Sequence, residues 1–137
     1  MVKLSREELL QELLSHNFEG SDNIKIDLND VETFIHEDKK IYRLFSRVTE
    51  VSSSTIASVT DNIEDVLMCF FIHPKHYNYK IFSERFEETY QLFDDPEHNL
   101  FSISFDDAVK INECQVTIYI TVLNKQIPVN KIIEKKI

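Results

Sequence analysis

The chain has 137 residues, 42% of them hydrophobic and 11% aromatic, which is the size of one domain with a core of its own. Its formal charge of -9 repels a phosphate backbone, and only the tail lysines Lys125, Lys131, Lys135 and Lys136 run against it, so nucleic acid is not expected as a partner. A single glycine, Gly20, excludes Walker, dinucleotide and GTPase phosphate loops, each of which needs several glycines to bring the backbone close to phosphate.

The N-terminus "MVKLSREELL" is charged where a signal peptide would be apolar, and no apolar run approaches the length of a membrane span. A cytoplasmic protein with no membrane contact is expected. Cys69 and Cys114 lie in or beside apolar runs without metal-like spacing, as small buried residues do, and form no disulfide framework.

Ser5 and Glu8 have the capping-box spacing, and Leu9, Leu10, Leu13 and Leu14 then form one stripe, which predicts an amphipathic helix over residues 6–16. In "IKIDLNDVETFI" the period changes. Ile24, Ile26 and Leu28 alternate as in a strand, and Val31, Phe34 and Ile35 have helical spacing, which predicts a helix from about Asn29 to His36. "IYRLFSRVTEV" is read as a strand with Tyr42, Leu44, Ser46 and Val48 on one face. Ile56, Val59 and Ile63 suggest a short helix, and the continuous "VLMCFFI" a strand buried on both faces. "YKIFSERFEETYQLF" is the clearest helix, with Phe82, Phe86, Tyr90 and Phe93 on a core stripe and Glu84, Arg85, Glu87 and Glu88 opposite. "LFSISF" and "QVTIYITVL" alternate as strands and are expected to pair as neighbours. The predicted class is α/β of the α+β type, a four-stranded mixed sheet packed with helices, in a single domain over 1–137. A helix at 5–16 leads it and a tail over 124–137 follows.

On these elements the chain resembles the C-terminal domain of the tubulin/FtsZ family, over residues 24–123. "KIDLND", Lys25 to Asp30, is similar to the family's acidic synergy loop, with Asp27 and Asp30 at its two acidic positions and Lys25 in place of its asparagine. "DDPEHNLFSISFDDAVKINECQVTIYIT" is similar to the family's closing proline turn, apolar strand, acidic loop and final strand. The resemblance implies a chorismate-mutase-like fold without the GTP-binding half. It also implies a non-catalytic domain that binds or caps an FtsZ-type GTPase filament, or binds itself as a homo-oligomer. The loop of Lys25, Asp27, Asn29 and Asp30 would make that contact, completing at most a partner's GTPase site in trans. Capping of the following helix explains both Asp27 and Asp30 without any partner, because carboxylates favour the positive end of a helix, and the two roles are compatible.

Two further readings come from the residues alone. An acidic face at Glu84, Glu87 and Glu88 would suit an immunity- or antitoxin-type protein that masks a basic partner. A pocket lined by Arg43, Arg47 or Arg85 would favour a small-molecule enzyme. The pair His73 and His76 lacks a third ligand-rich segment, as does His98 near Asp94 and Asp95, so no metal, cofactor or catalytic residue is assigned.

Overall fold

The computed structural model describes residues 1–17, 31–32, 39–58, 63–76, 79–93 and 98–123. Its elements in chain order are β1 (Val2–Leu4), α1 (Arg6–Asn17), β2 (Lys39–Val48), α2 (Ser53–Ala57), β3 (Ile63–Ile72), a 3-10 turn (Pro74–His76), α3 (Tyr79–Tyr90), β4 (His98–Phe105) and β5 (Cys114–Leu123). The class is α+β, built on one mixed sheet with a few helices.

The apolar run of β3 buries side chains on both faces of the sheet. Val66, Met68, Phe70 and Ile72 join one cluster with Phe82 and Phe93, and Leu67, Cys69 and Phe71 join another with Leu9 and Leu13. A strand covered on both sides has no polar face to present, which is why its sequence does not alternate. Burying each such side chain contributes about 1.5–3 kcal/mol. On the α3 face the packing is aromatic, with the Phe70 and Phe82 rings edge to face at 5.1 Å.

Among the described residues the sheet has five strands, not four, in the order β1-β2-β5-β3-β4. The added strand is β1, which pairs antiparallel with β2 through Val2, Lys3 and Leu4. Three residues next to a helix start are too few to show a period of two. The strands β4 and β5 are not neighbours: β3 lies between them, parallel to β4 and antiparallel to β5. The connection between them passes the end of β3, where the Asp106 N–H donates to Ile72 O at 2.9 Å. Placing β3 inside the sheet keeps its apolar run off a solvent edge, which outweighs the simple hairpin.

Two amphipathic expectations also need correction. In β2 two register shifts against β5, at Arg43/Phe45 and Phe45/Val48, break the alternation. Phe45 therefore packs on the core with Tyr42, Leu44 and Val48, and Ser46 is exposed. The alternation read for β4 holds, with Ile103 and Phe105 on the cluster of Phe82 and Phe101 against Phe86, although Ser102 and Ser104 are buried too and Phe101 is 40% exposed. At the helix ends the stripes run out, leaving Leu14 63% and Tyr90 38% exposed.

The predicted capping box is present. The Ser5 N–H donates to Glu8 Oε1 at 2.7 Å and the Glu8 N–H to Ser5 Oγ at 3.0 Å. The short helix α2 is capped by Ser52, whose hydroxyl accepts from Thr55 N, and buries Ile56; Ile63, assigned to the same helix from sequence, begins β3. Of the helix expected over 29–36, Val31 and Glu32 are helical and Val31 is buried against α1 and β3 residues; the rest lies outside the described residues, as does the tail. No helix among the described residues is long and apolar enough to cross a membrane.

Candidate functional site

Helix α3 packs through Phe82, Phe86 and Thr89, so residues on the opposite side of the turn must face outward. Glu84, Glu87 and Glu88 are exposed there. They line one open groove of about 580 Å³ together with Ser83, Arg85, Gln91, Asn112 and Cys114. A second groove of about 370 Å³ shares Arg85 and Glu88 and is completed by Glu50, Val51, Thr89 and Leu92. Across the two grooves four carboxylates stand against one guanidinium. Such a surface attracts ammonium and guanidinium groups, and Gln91 and Asn112 add neutral donors and acceptors at its rim. At the groove's edge the Cys114 thiol is pushed up to about 11 by burial, with Arg85 pulling the other way, so it is no nucleophile at neutral pH.

The structure places the arginines apart. Arg85 lines both grooves, the feature expected of a small-molecule site, but its setting among glutamates favours a cationic ligand over an anionic one. Arg43 donates from Nη1 to Glu12 Oε2. Glu12 Oε1 accepts from the Tyr119 hydroxyl at 2.7 Å, and this bond ties α1 to the centre of the sheet. Burial first, and the Glu12 carboxylate second, push the Tyr119 phenol well above its ordinary value. The buried Cys69 thiol nearby is pushed up to about 12 by desolvation. The neighbouring Ser102 hydroxyl pulls the other way, although among the described residues Ser102 Oγ has no hydrogen-bond partner of normal geometry.

Two ion pairs stand at opposite ends of the sheet. Lys39 Nζ lies 2.6 Å from Asp65 Oδ2, which also accepts from Thr121 Oγ1 at 2.6 Å, and Asp65 is fully buried. Arg47 Nη2 lies 2.7 Å from Asp106 Oδ2, and its Nε donates to Gln115 Oε1 at 2.8 Å. The Arg47 guanidinium also covers the Phe71 ring at 3.8 Å from the centroid. Arg47 has φ of 50°, a left-handed conformation uncommon for a residue with a Cβ, and lies within the second register shift of β2, between Phe45 and Val48. Its guanidinium holds the Asp106 carboxyl below the ordinary value. None of these pairings announces itself in sequence, because the partners are distant along the chain; a charged residue inside an apolar strand, such as Asp65 in "IEDVLMCFFI", is the one available signal.

Lys25, Asp27, Asn29 and Asp30 lie outside the described residues, as do Asp94 and Asp95. His73 Nδ1 accepts from Lys75 N at 3.1 Å and so caps the 3-10 turn. No group of three metal-ligating side chains occurs among the described residues.

No family model and no curated protein matches the chain. Among solved structures it is similar to E. coli HypE, a hydrogenase maturation protein, at 12% identity and a TM-score of 0.36. That match covers 92% of this chain and 45% of HypE, so the chain spans less than half the length of that protein.

Proposed function

We propose that this chain is a non-catalytic protein-binding domain whose recognition surface is the acidic face of α3, read by a basic segment of a partner. The observation that carries this reading is the exposure of Glu84, Glu87 and Glu88 together along one groove. Like charges held side by side on a helix cost stability, so a cation that bridges them gains both attraction and relief of repulsion. An oligolysine peptide serves as the probe, titrated against the wild type and a Glu84→Gln, Glu87→Gln, Glu88→Gln variant. A control carrying Glu7→Gln, Glu32→Gln and Asp107→Asn changes the net charge equally. Salt-sensitive binding that the α3 variant loses and the control keeps is the expected result. Equal weakening in both would reduce the effect to net charge and remove the patch from the argument.

A second reading is that the domain acts on an FtsZ-type filament, or on itself, through Asp27 and Asp30. It is supported by the order of β2, α2, β3, α3, β4 and β5, which is the strand and helix order that the resemblance implies. GTP turnover and pelleting of an FtsZ, measured with wild type and with the Asp27→Ala, Asp30→Ala variant, test it. No effect of either protein on turnover or polymer mass leaves those aspartates as helix caps.

A further inference from the structure

The chain carries its own basic segment. After Leu123, the last residue of β5, the sequence "NKQIPVNKIIEKKI" holds Lys125, Lys131, Lys135 and Lys136 against a single acid, Glu134. The rest of the chain is therefore more acidic than the net charge of -9. Within that rest, Glu84, Glu87 and Glu88 line the grooves beside α3 and form no ion pair among the described residues. A surface short of cations and a segment rich in them are thus tethered to each other.

The tether is long enough. Cys114 and Asn112, at the start of β5, line the larger groove, and the strand ends nine residues later at Leu123. Going back along the strand is a path of about 30 Å at the rise of an extended chain. Lys131 is the eighth residue after Leu123 and Lys135 the twelfth, so an extended tail carries them about 26 and 40 Å. Lys131 comes close to the groove, and Lys135 and Lys136 reach it with slack. Ile132 and Ile133 follow Lys131 in sequence, and the second groove offers Val51 and Leu92 beside Glu50 and Glu88. Apolar and charged groups therefore have counterparts on both sides.

We infer that residues 131–136 of the chain's own tail occupy the α3 grooves and mask the acidic face until a more basic partner displaces them. Charge complementarity selects this occupant over a second copy, whose net charge repels. Tethering adds to it, since a short flexible linker holds a ligand at an effective concentration on the order of millimolar, enough to populate a weak contact. The inference rests on the acidic-face reading and adds a competitor to it.

Zero-length carbodiimide coupling joins an ammonium to a carboxylate that touches it, and mass spectrometry of the digested full chain locates the link. Expected are links from Lys131, Lys135 or Lys136 to Glu84, Glu87 or Glu88, in product of single-chain mass at high dilution, fading as salt rises. Absence of such links overturns the inference, and so do links found only in product of double mass. Oligolysine binding supplies the second readout. Full-length Lys131→Gln, Lys135→Gln, Lys136→Gln should bind the peptide about threefold or more tighter than Lys3→Gln, Lys75→Gln, Lys110→Gln, a control of equal net charge. Equal affinity of the two removes the competition. Failure of the underlying surface reads differently. If Glu84→Gln, Glu87→Gln, Glu88→Gln added to the tail variant leaves oligolysine binding unchanged, the acidic-face reading falls and this inference with it. If that addition abolishes binding but the tail links are absent, only the tail is refuted.

Discussion

Lys39–Asp65 and Arg47–Asp106 are both ion pairs that join β2 to later parts of the chain, yet they sit in opposite solvent regimes. The side chains of Lys39 and Asp65 are 11% and 0% exposed, and those of Arg47 and Asp106 are 34% and 33% exposed. In the first pair both charges have lost water and depend on each other and on Thr121. In the second, water remains at hand and the pair competes with it. The same chemistry therefore gives a pair that is costly to break at one end of the sheet and a pair of small worth at the other. A buried pair is also no proof of net stabilisation, because desolvation offsets much of its attraction.

Removing one partner of the buried pair is the largest effect expected. Asp65→Ala strands the Lys39 ammonium and the Thr121 hydroxyl and should lower unfolding stability by about 3–5 kcal/mol, read from denaturant midpoints at unchanged slope. The comparison is sharpened by Asp65→Leu combined with Lys39→Met and Thr121→Val, which removes all three polar groups and should recover most of that loss. A triple variant as unstable as Asp65→Ala would mean that packing, not stranded charge, is responsible. Next in size is Tyr119→Phe, which leaves the ring in place and deletes the donor to Glu12. A hydrogen bond to a charged acceptor of this kind is worth roughly 1.5–3 kcal/mol. A loss below that range, with Arg43 still paired to Glu12, would show that the guanidinium alone satisfies the carboxylate.

What the sequence made legible follows the range of the forces involved. The capping box of Ser5 and Glu8, the helix of Phe82 and Phe86 and the doubly buried run of β3 are local patterns, and each was readable from neighbouring residues. The position of β3 between β4 and β5 was not, since hairpin proximity and burial of "VLMCFFI" pull toward different pairings and only the assembled sheet decides. The bulges of β2 were equally hidden. Nothing in "RLFSRV" marks Arg47 for a left-handed backbone, a conformation that glycine would have advertised. Of the candidate surfaces, the glutamates of α3 were legible from helical spacing, but their neighbours Glu50 and Asn112 reach the grooves only through tertiary folding.

At the exposed pair the backbone and the side chain of Arg47 oppose each other. Arg47→Ala keeps the left-handed strain and loses the contacts to Asp106, Gln115 and Phe71, whereas Arg47→Gly loses the contacts and relieves the strain. The glycine variant should therefore be the more stable of the two by about 1 kcal/mol, on the order of the cost of a Cβ in that region. Equal stability of the two would mean that the bulge, not the side chain, absorbs the strain.

The smallest effect is on pH dependence. The Asp106 carboxyl titrates below its ordinary 3.8 in the folded protein, first through the Arg47 hydrogen bond and then through the Ala108 N–H. A depressed folded pKa stabilises the folded state fully above 3.8 and ceases to do so as pH falls through the folded value. With a third of each side chain exposed, water and salt screen the pair, so its worth is under about 1 kcal/mol. The melting temperature of wild type relative to Asp106→Asn should thus show a small constant advantage from neutral pH to mildly acidic pH, shrinking only below the ordinary carboxylate range. An advantage that instead faded between neutral pH and pH about 5 would have to come from another titrating group, because Asp106 stays ionised throughout that interval.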